Sequence, residues 1–319
     1  MNRSTSKRLL RFLPLSTSLL VIAALSGCAR IQPGTQEGLT PQEALRGRDV
    51  DAARLGEGKK IYNEYCSGCH GLKGDGQGPA ARFLDPKPRD FTRGIFKFAA
   101  VPSGQLPRDE DLLRTLRHGL PGSSMPSWQL LSEQDRLSLL AYLKTLSTAW
   151  AGSSPGSPIA ISDDPYGPDG VEGARRAVAR GREVYHVIAT CWQCHPSYAS
   201  QEEVNRMAKT NDAGTVELRA DAGHSTLVTD AWDQPLMPPD FTKRRLKAGT
   251  ALQDLYRTVG AGIGGTAMPM WKDGLEEKDL WALVYYVKSL ADQRLRRPQA
   301  IPGLAGAPAP VRPHPTSGN

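Results

Sequence analysis

Two five-residue runs constrain this chain more than anything else in it: Cys66-Ser67-Gly68-Cys69-His70 and Cys191-Trp192-Gln193-Cys194-His195. Each is a C-x-x-C-H. Two thiols at that spacing can add across the two vinyl groups of one porphyrin, and the next residue offers an imidazole to the iron. The chain has five cysteines and six histidines, and four of the cysteines sit in these runs. Two runs imply two covalently attached haem c groups, held through Cys66, Cys69, Cys191 and Cys194. A redox-active thiol pair would want a βαβ context, which is not visible. A zinc ribbon separates its two pairs by about 15–20 residues. Here more than a hundred intervene, so each pair must find its partners nearby.

The fifth cysteine, Cys28, closes Leu25-Ser26-Gly27-Cys28. Arg3, Lys7, Arg8 and Arg11 precede an apolar stretch from Phe12 to Leu25. A basic start, a short apolar run and small residues before a cut are the parts of an export signal. The run is too short to span a bilayer comfortably. The ending resembles a bacterial lipobox, in which the cysteine becomes a lipid-bearing N-terminus. Residues 1–27 therefore read as a lipoprotein signal peptide, Cys28 as the lipidation site and 28–50 as a tether. The expected location is outside the cytoplasm, on a bacterial membrane facing the periplasm or on the outer face of the cell membrane. Haem c is attached in that compartment. The net charge of +7 falls to +3 once the signal is removed. No dense Lys/Arg block interleaved with aromatics is present, which argues against nucleic acid as a partner.

The chain is one module written twice. Gly58-x-x-x-Tyr62 recurs as Gly181-x-x-x-Tyr185, each ahead of a C-x-x-C-H. Pro88-Arg89-Asp90-Phe91-Thr92 recurs as Pro239-Asp240-Phe241-Thr242, preceded by Pro238. Asp111-Leu112-Leu113-Arg114-Thr115 recurs as Asp254-Leu255-Tyr256-Arg257-Thr258. Met125-Pro126-Ser127-Trp128 recurs as Met268-Pro269-Met270-Trp271, and Asp135 to Leu146 as Asp279 to Leu290. Two units follow, at 51–150 and 174–292. His70 to Met125 spans 55 residues and His195 to Met268 spans 73, so the second unit carries an insertion at about 197–235, read as a loop or short helix. Residues 151–173, rich in Gly, Ser, Pro and Asp, read as a flexible linker. The Pro-rich tail at 293–319 reads as disordered.

The periodicity is helical. Leu55 to Tyr65, Glu110 to Arg117 and Glu276 to Leu290 are expected helices. Ser132-x-x-Asp135 opens another with an N-cap pattern, whose apolar face would be Leu137, Leu140, Ala141 and Leu143. No long period-two alternation argues for a sheet. The expected fold is all-α, with two tandem units.

One axial iron ligand in each unit is the motif histidine, His70 or His195. Electron-transfer haems usually take methionine as the other, which raises the potential. Met125 is the sole methionine between His70 and the linker, and Pro126 stiffens its loop. In the second unit Met268 matches Met125 in the repeat, and is favoured over Met207, Met237 and Met270. His186 and His224 stand as less favoured alternatives, read with His118 and His314 as exposed side chains. Tyr62, Tyr142, Tyr185 and Tyr286 suggest a contact between first and last helices beside the haem. Trp128 and Trp271 either donate to a propionate or pack in the core. Pro79, after the glycine-rich run Gly74 to Gly78, is a candidate carbonyl for the ligand imidazole's second N–H. The second unit has Pro196 directly after His195 and no such run, so its surroundings should differ.

Taken together, Gly-x-x-x-Tyr before C-x-x-C-H, the Met-Pro loop and the last helix with Tyr142-Leu143 or Tyr286-Val287 resemble class I mono-haem cytochrome c domains. The resemblance covers about 55–147 and 178–292. It implies a few helices around each haem and transfer of single electrons between redox partners. The expected function is a membrane-tethered dihaem carrier without enzymatic activity, with a quinol-oxidising complex or a terminal oxidase or reductase among its possible partners. The alternatives are a dihaem peroxidase-type enzyme and a haem subunit of a larger quinol-oxidising or reductase complex. A peroxidase needs an exchangeable iron position and an acid above it. Both units instead offer a methionine, and no such acid is evident.

Overall fold

Glycine at two positions decides how each half of the protein is assembled. In the computed structural model, which describes residues 52–296, α1 (Ala52–Tyr65) packs on α4 (Glu133–Thr145) in the first half. A side chain on Gly58 would overlap the backbone carbonyl of Ser138. In the second half α5 (Gly170–Glu183) packs on α8 (Glu277–Arg296), and a side chain on Gly181 would overlap the carbonyl of Ala282. Removing Cβ lets the two backbones approach, which the Gly-x-x-x-Tyr landmark encodes. One turn later Tyr62 meets Tyr142 with ring centroids 5.3 Å apart, and Tyr185 meets Tyr286 at 5.5 Å.

The remaining helices complete each half. α2 (Ser67–His70) carries the first motif and α3 (Asp109–His118) precedes the Met125 loop. In the second half α6 (Gln201–Thr210) lies in the insertion and α7 (Leu252–Ala261) corresponds to α3. Ser132 Oγ accepts the Asp135 amide at 3.0 Å and Asp135 Oδ2 accepts the Ser132 amide at 3.3 Å, the reciprocal cap its spacing predicts. The α4 face differs from expectation. Leu139 is fully buried and Leu137 only half-buried, because α4 is covered from several sides. The sole sheet among the described residues is a two-residue ladder, β1 (Val228–Thr229) with antiparallel β2 (Pro235–Leu236). The architecture is all-α.

Two features absorb the differences between the repeats. Tyr62 lies four residues before Cys66 but Tyr185 lies six before Cys191. The extra residues are taken up by a π-helical turn, Val184–Ile188, and by Thr190, which is left-handed at φ 45°. A π turn accommodates insertions without ending the helix. The insertion is split in role. Its α6 packs on the π turn through Val204 and Ala208, with Arg182 and Glu203 paired at 2.6 Å. Its hairpin crosses to the first half, as described below.

The segment read as a flexible linker is fixed along the seam. Gly156 N–H donates to Leu106 O at 2.9 Å and Ile159 N–H to Ala100 O at 2.6 Å. Tyr285 Oη donates to Asp164 at 2.6 Å. Ser162 and Asp164 bond side chains of the second half, and α5 already begins at Gly170. At the other end α8 runs to Arg296, into the range read as tail. The signal at 1–27, Cys28, the tether at 28–50, His314 and the rest of the tail lie outside the described residues. No described helix is long and apolar enough to cross a membrane.

Candidate haem site

Each motif is delivered by the end of a helix and locked by the residue after its histidine. Tyr62 Oη donates to Gly71 O at 2.6 Å, and Tyr185 Oη donates to Pro196 O at 2.8 Å. The glycine-rich loop after His70 folds back on the motif, where a side chain at Gly78 would run into the backbone of Gly68 and Cys69. The four motif thiols are unbridged. Burial pushes the Cys66 and Cys191 thiols up to about 12. Reactive redox thiols need the opposite shift. Among the described residues no cluster of three or more His, Cys, Asp or Glu is arranged to hold a metal ion.

The imidazoles are oriented identically. His70 Nδ1–H donates to Arg89 O at 2.9 Å and His195 Nδ1–H to Pro239 O at 3.0 Å. Arg89 and Pro239 are matched positions of the Asp-Phe-Thr landmark, so the orienting carbonyl comes from there and not from Pro79. Phe91 stacks on His70 at 4.4 Å and Phe241 on His195 at 4.7 Å. Donation from Nδ1 leaves Nε2 with its lone pair free, the tautomer an iron ligand requires. Burial lowers the pKa of both imidazoles, which keeps them neutral. Contrary to expectation, the shell that orients the two histidines is the same in both halves.

The methionine loops are also matched. Leu120 N–H donates to Met125 O at 3.0 Å and Ile263 N–H to Met268 O at 3.3 Å. Ser123 Oγ and Thr266 Oγ1 accept the Met125 and Met268 amides at 3.3 and 3.1 Å. Gly119 and Gly262, at φ 63° and 74°, leave the room that the loop backbone occupies. Both motifs, both motif histidines, Met125 and Met268 line one continuous cavity of 1860 Å³. Met237 also lines it; Met207 and Met270 do not.

The histidine alternatives fall away. His186 is fully buried rather than exposed. Its Nδ1–H donates to Arg182 O at 2.8 Å and its Nε2 accepts the Tyr198 amide at 3.4 Å, away from the cavity. His118 and His224 are exposed. Burial lowers the His186 pKa to about 4. The unfolded imidazole takes its proton near 6.5, so between these values the unfolded chain binds more proton and stability falls as pH drops. The loss should reach about 3 kcal/mol by pH 4. Denaturant titrations between pH 7 and pH 4 on wild type and His186→Gln should show that slope flattened in the variant.

The cavity fits haem chemically. It pairs apolar walls with unbridged thiols and imidazole lone pairs. Trp128 lines it and its buried Nε1–H has no partner among the described residues. An acceptor such as a propionate would answer that donor, and Trp128 also packs against the core of the first half. Trp271, half-buried, lines the same cavity.

The halves meet at this cavity. A side chain at Gly265, in the Met268 loop, would meet Ile95, and one at Gly122, in the Met125 loop, would meet Arg245. Ile95 and Arg245 lie four residues past Phe91 and Phe241, so the contact is reciprocal, as in an isologous interface. Ser103 N–H to Ala261 O at 3.1 Å and Gly264 N–H to Lys97 O at 3.3 Å stitch the backbones together.

Comparison with known proteins agrees with this geometry. The family model described as cytochrome C oxidase, cbb3-type, subunit III matches residues 53–143 and 176–287. A chain from the reducing HAO-like protein complex of Kuenenia stuttgartiensis is similar in structure, with TM-score 0.60 and 32% identity. The match covers 73% of this chain and 95% of that one. No curated protein sequence matched. The two matched segments are the two halves built around the C-x-x-C-H motifs, and the chain belongs to this cytochrome c family of haem-bearing electron-transfer proteins.

Proposed function

We propose that the protein is a dihaem c-type electron carrier that performs no net chemistry on a substrate. The observation that carries this reading is the matched pair of sites on one cavity. Each has a thiol pair, an imidazole with Nδ1 held by a backbone carbonyl and a methionine loop. A single small-molecule site usually occupies about 300–1,000 Å³, and 1860 Å³ accommodates two cofactors. Cys66 and Cys69 would bind one haem, with His70 and Met125 as axial ligands. Cys191 and Cys194 would bind the other, with His195 and Met268. The bound haem supplies one-electron exchange at iron. The chain holds the imidazoles in one tautomer, keeps apolar walls around the iron and offers Trp128 Nε1–H to an acceptor.

The export and lipid signals at 1–27 and Cys28 support a carrier tethered to a membrane on its outer side. The partners would be redox proteins at that surface. The family description and the similar chain both belong to multi-protein assemblies, which favours work as a haem subunit within a larger redox complex over free diffusion. Mass spectrometry of the purified protein should show the mass of two haems. Cys66→Ala/Cys69→Ala should retain one, at Cys191 and Cys194. A single haem in the wild-type protein would refute the dihaem reading, and rapid peroxide turnover would refute the carrier.

A further inference from the structure

The hairpin of the second half's insertion reaches the first half at one corner. Lys97 Nζ and Asp230 Oδ2 pair at 2.8 Å, with side chains only 15% and 6% exposed. Asp230 Oδ1 also accepts the Trp232 and Gln234 amides at 3.0 and 3.1 Å, so one carboxylate shapes the turn and holds the lysine. The Arg89 guanidinium lies 3.7 Å from the Trp232 ring centroid, with Arg93 at 5.4 Å and Lys97 at 5.7 Å. Arg93 donates to Ala231 O. Arg89 is the residue whose carbonyl orients His70.

Cations gather at this corner. Arg89, Lys97 and Lys247 all line the cavity. All three are half-buried, and Asp85 and Asp90 lie on the same lining. Asp230 is the buried carboxylate among them. The Trp232 Nε1–H is buried with no partner among the described residues, and it too lines the cavity. Half-buried cations and an unmet buried donor on a cavity wall suit an anionic acceptor. Haem carries two carboxylates.

We infer that Asp230 and Trp232 of the second half hold Arg89 and Lys97 of the first half as an anchor for the carboxylates of the first half's haem, so that one half completes the other's cofactor site. The inference rests on the proposed dihaem reading. It makes the insertion a positioning element for a haem its own half does not bind. The anchor also ties the halves together, since Trp232 packs against Gly265 in the Met268 loop.

Spectroelectrochemical titration of the full-length holoprotein tests this. Haem content is measured first, and the wave of the first haem is assigned as the one missing in Cys66→Ala/Cys69→Ala. Lys97→Met and Trp232→Ala should lower that wave, because a cation or a donor to the carboxylates is lost and ferric iron is relatively favoured. Asp230→Asn should raise it, because a negative charge is lost. Lys97→Arg should keep the wild-type potential, and the second wave should stay in place throughout. Opposite signs for Lys97→Met and Asp230→Asn are not produced by a merely structural role. With two haems present, unchanged waves, shifts of one sign, or shifts confined to the second wave would overturn the inference. A haem count other than two overturns the dihaem reading instead.

Discussion

In Met125→Ala one of two redox waves should fall by on the order of a few tenths of a volt while the other stays. In Met268→Ala the second wave should fall instead. Thioether ligation favours ferrous iron and raises the potential, and the axial ligand is the strongest lever a protein has on it. The geometry supports the pairing. The two loops carry matched hydrogen bonds, Leu120 N–H to Met125 O and Ile263 N–H to Met268 O, and both open on the cavity that holds the thiols. Met237 is the natural control, because it lines the cavity but is 41% exposed and lies outside the matched loop. Met237→Ala should leave both waves within a small shift. If it removes the second wave while Met268→Ala does not, the ligand assignment is wrong. Optical loss of the methionine–iron band in each variant gives an independent readout of the same bond.

Gly58→Ala and Gly181→Ala should each destabilise the holoprotein by about 2–3 kcal/mol. The new methyl group would lie inside the carbonyls of Ser138 and Ala282, and α4 or α8 can recede only by opening its packing on α1 or α5. The tyrosine contact one turn later should loosen with it. Tyr62 and Tyr185 also hold the carbonyls of Gly71 and Pro196, so both motif histidines should become more mobile. Gly56→Ala is the control with the opposite sign. That position sits exposed on the same helix, with nothing within 4 Å of an added Cβ. There alanine should stabilise by about 0.5–1 kcal/mol through helix propensity. Guanidinium titrations of the three variants check the order, and equal effects at 56 and 58 would refute close backbone approach.

Much of the site was legible in the sequence because its parts are local. C-x-x-C-H needs a single turn of chain, and the repeat points to Met268 by register where four methionines compete. The helices were legible from period and caps, as at Ser132 and Asp135. The orienting carbonyl was not. Backbone oxygens carry no residue signature, so composition points to Pro79 where the fold uses Arg89 and Pro239. His186 looked like an exposed side chain because nothing in its neighbourhood tells that the π turn and Tyr198 enclose it. The stretch 151–173 looked mobile because its composition is that of a linker. Its hydrogen bonds to Leu106, Ala100 and Tyr285 exist only once both halves are folded.

The division follows the range of the interactions. Sequence alone determined the haem attachment chemistry, the duplication and the helical class, since covalent spacing and period are properties of neighbouring residues. Tertiary structure decided that the two sites share one cavity, that their methionine loops touch the opposite half, and that Trp232 lies under Arg89 at 3.7 Å. Those contacts join residues more than a hundred positions apart. They are selected by burial of charge and apolar surface in three dimensions, and that selection leaves no periodic trace along the chain.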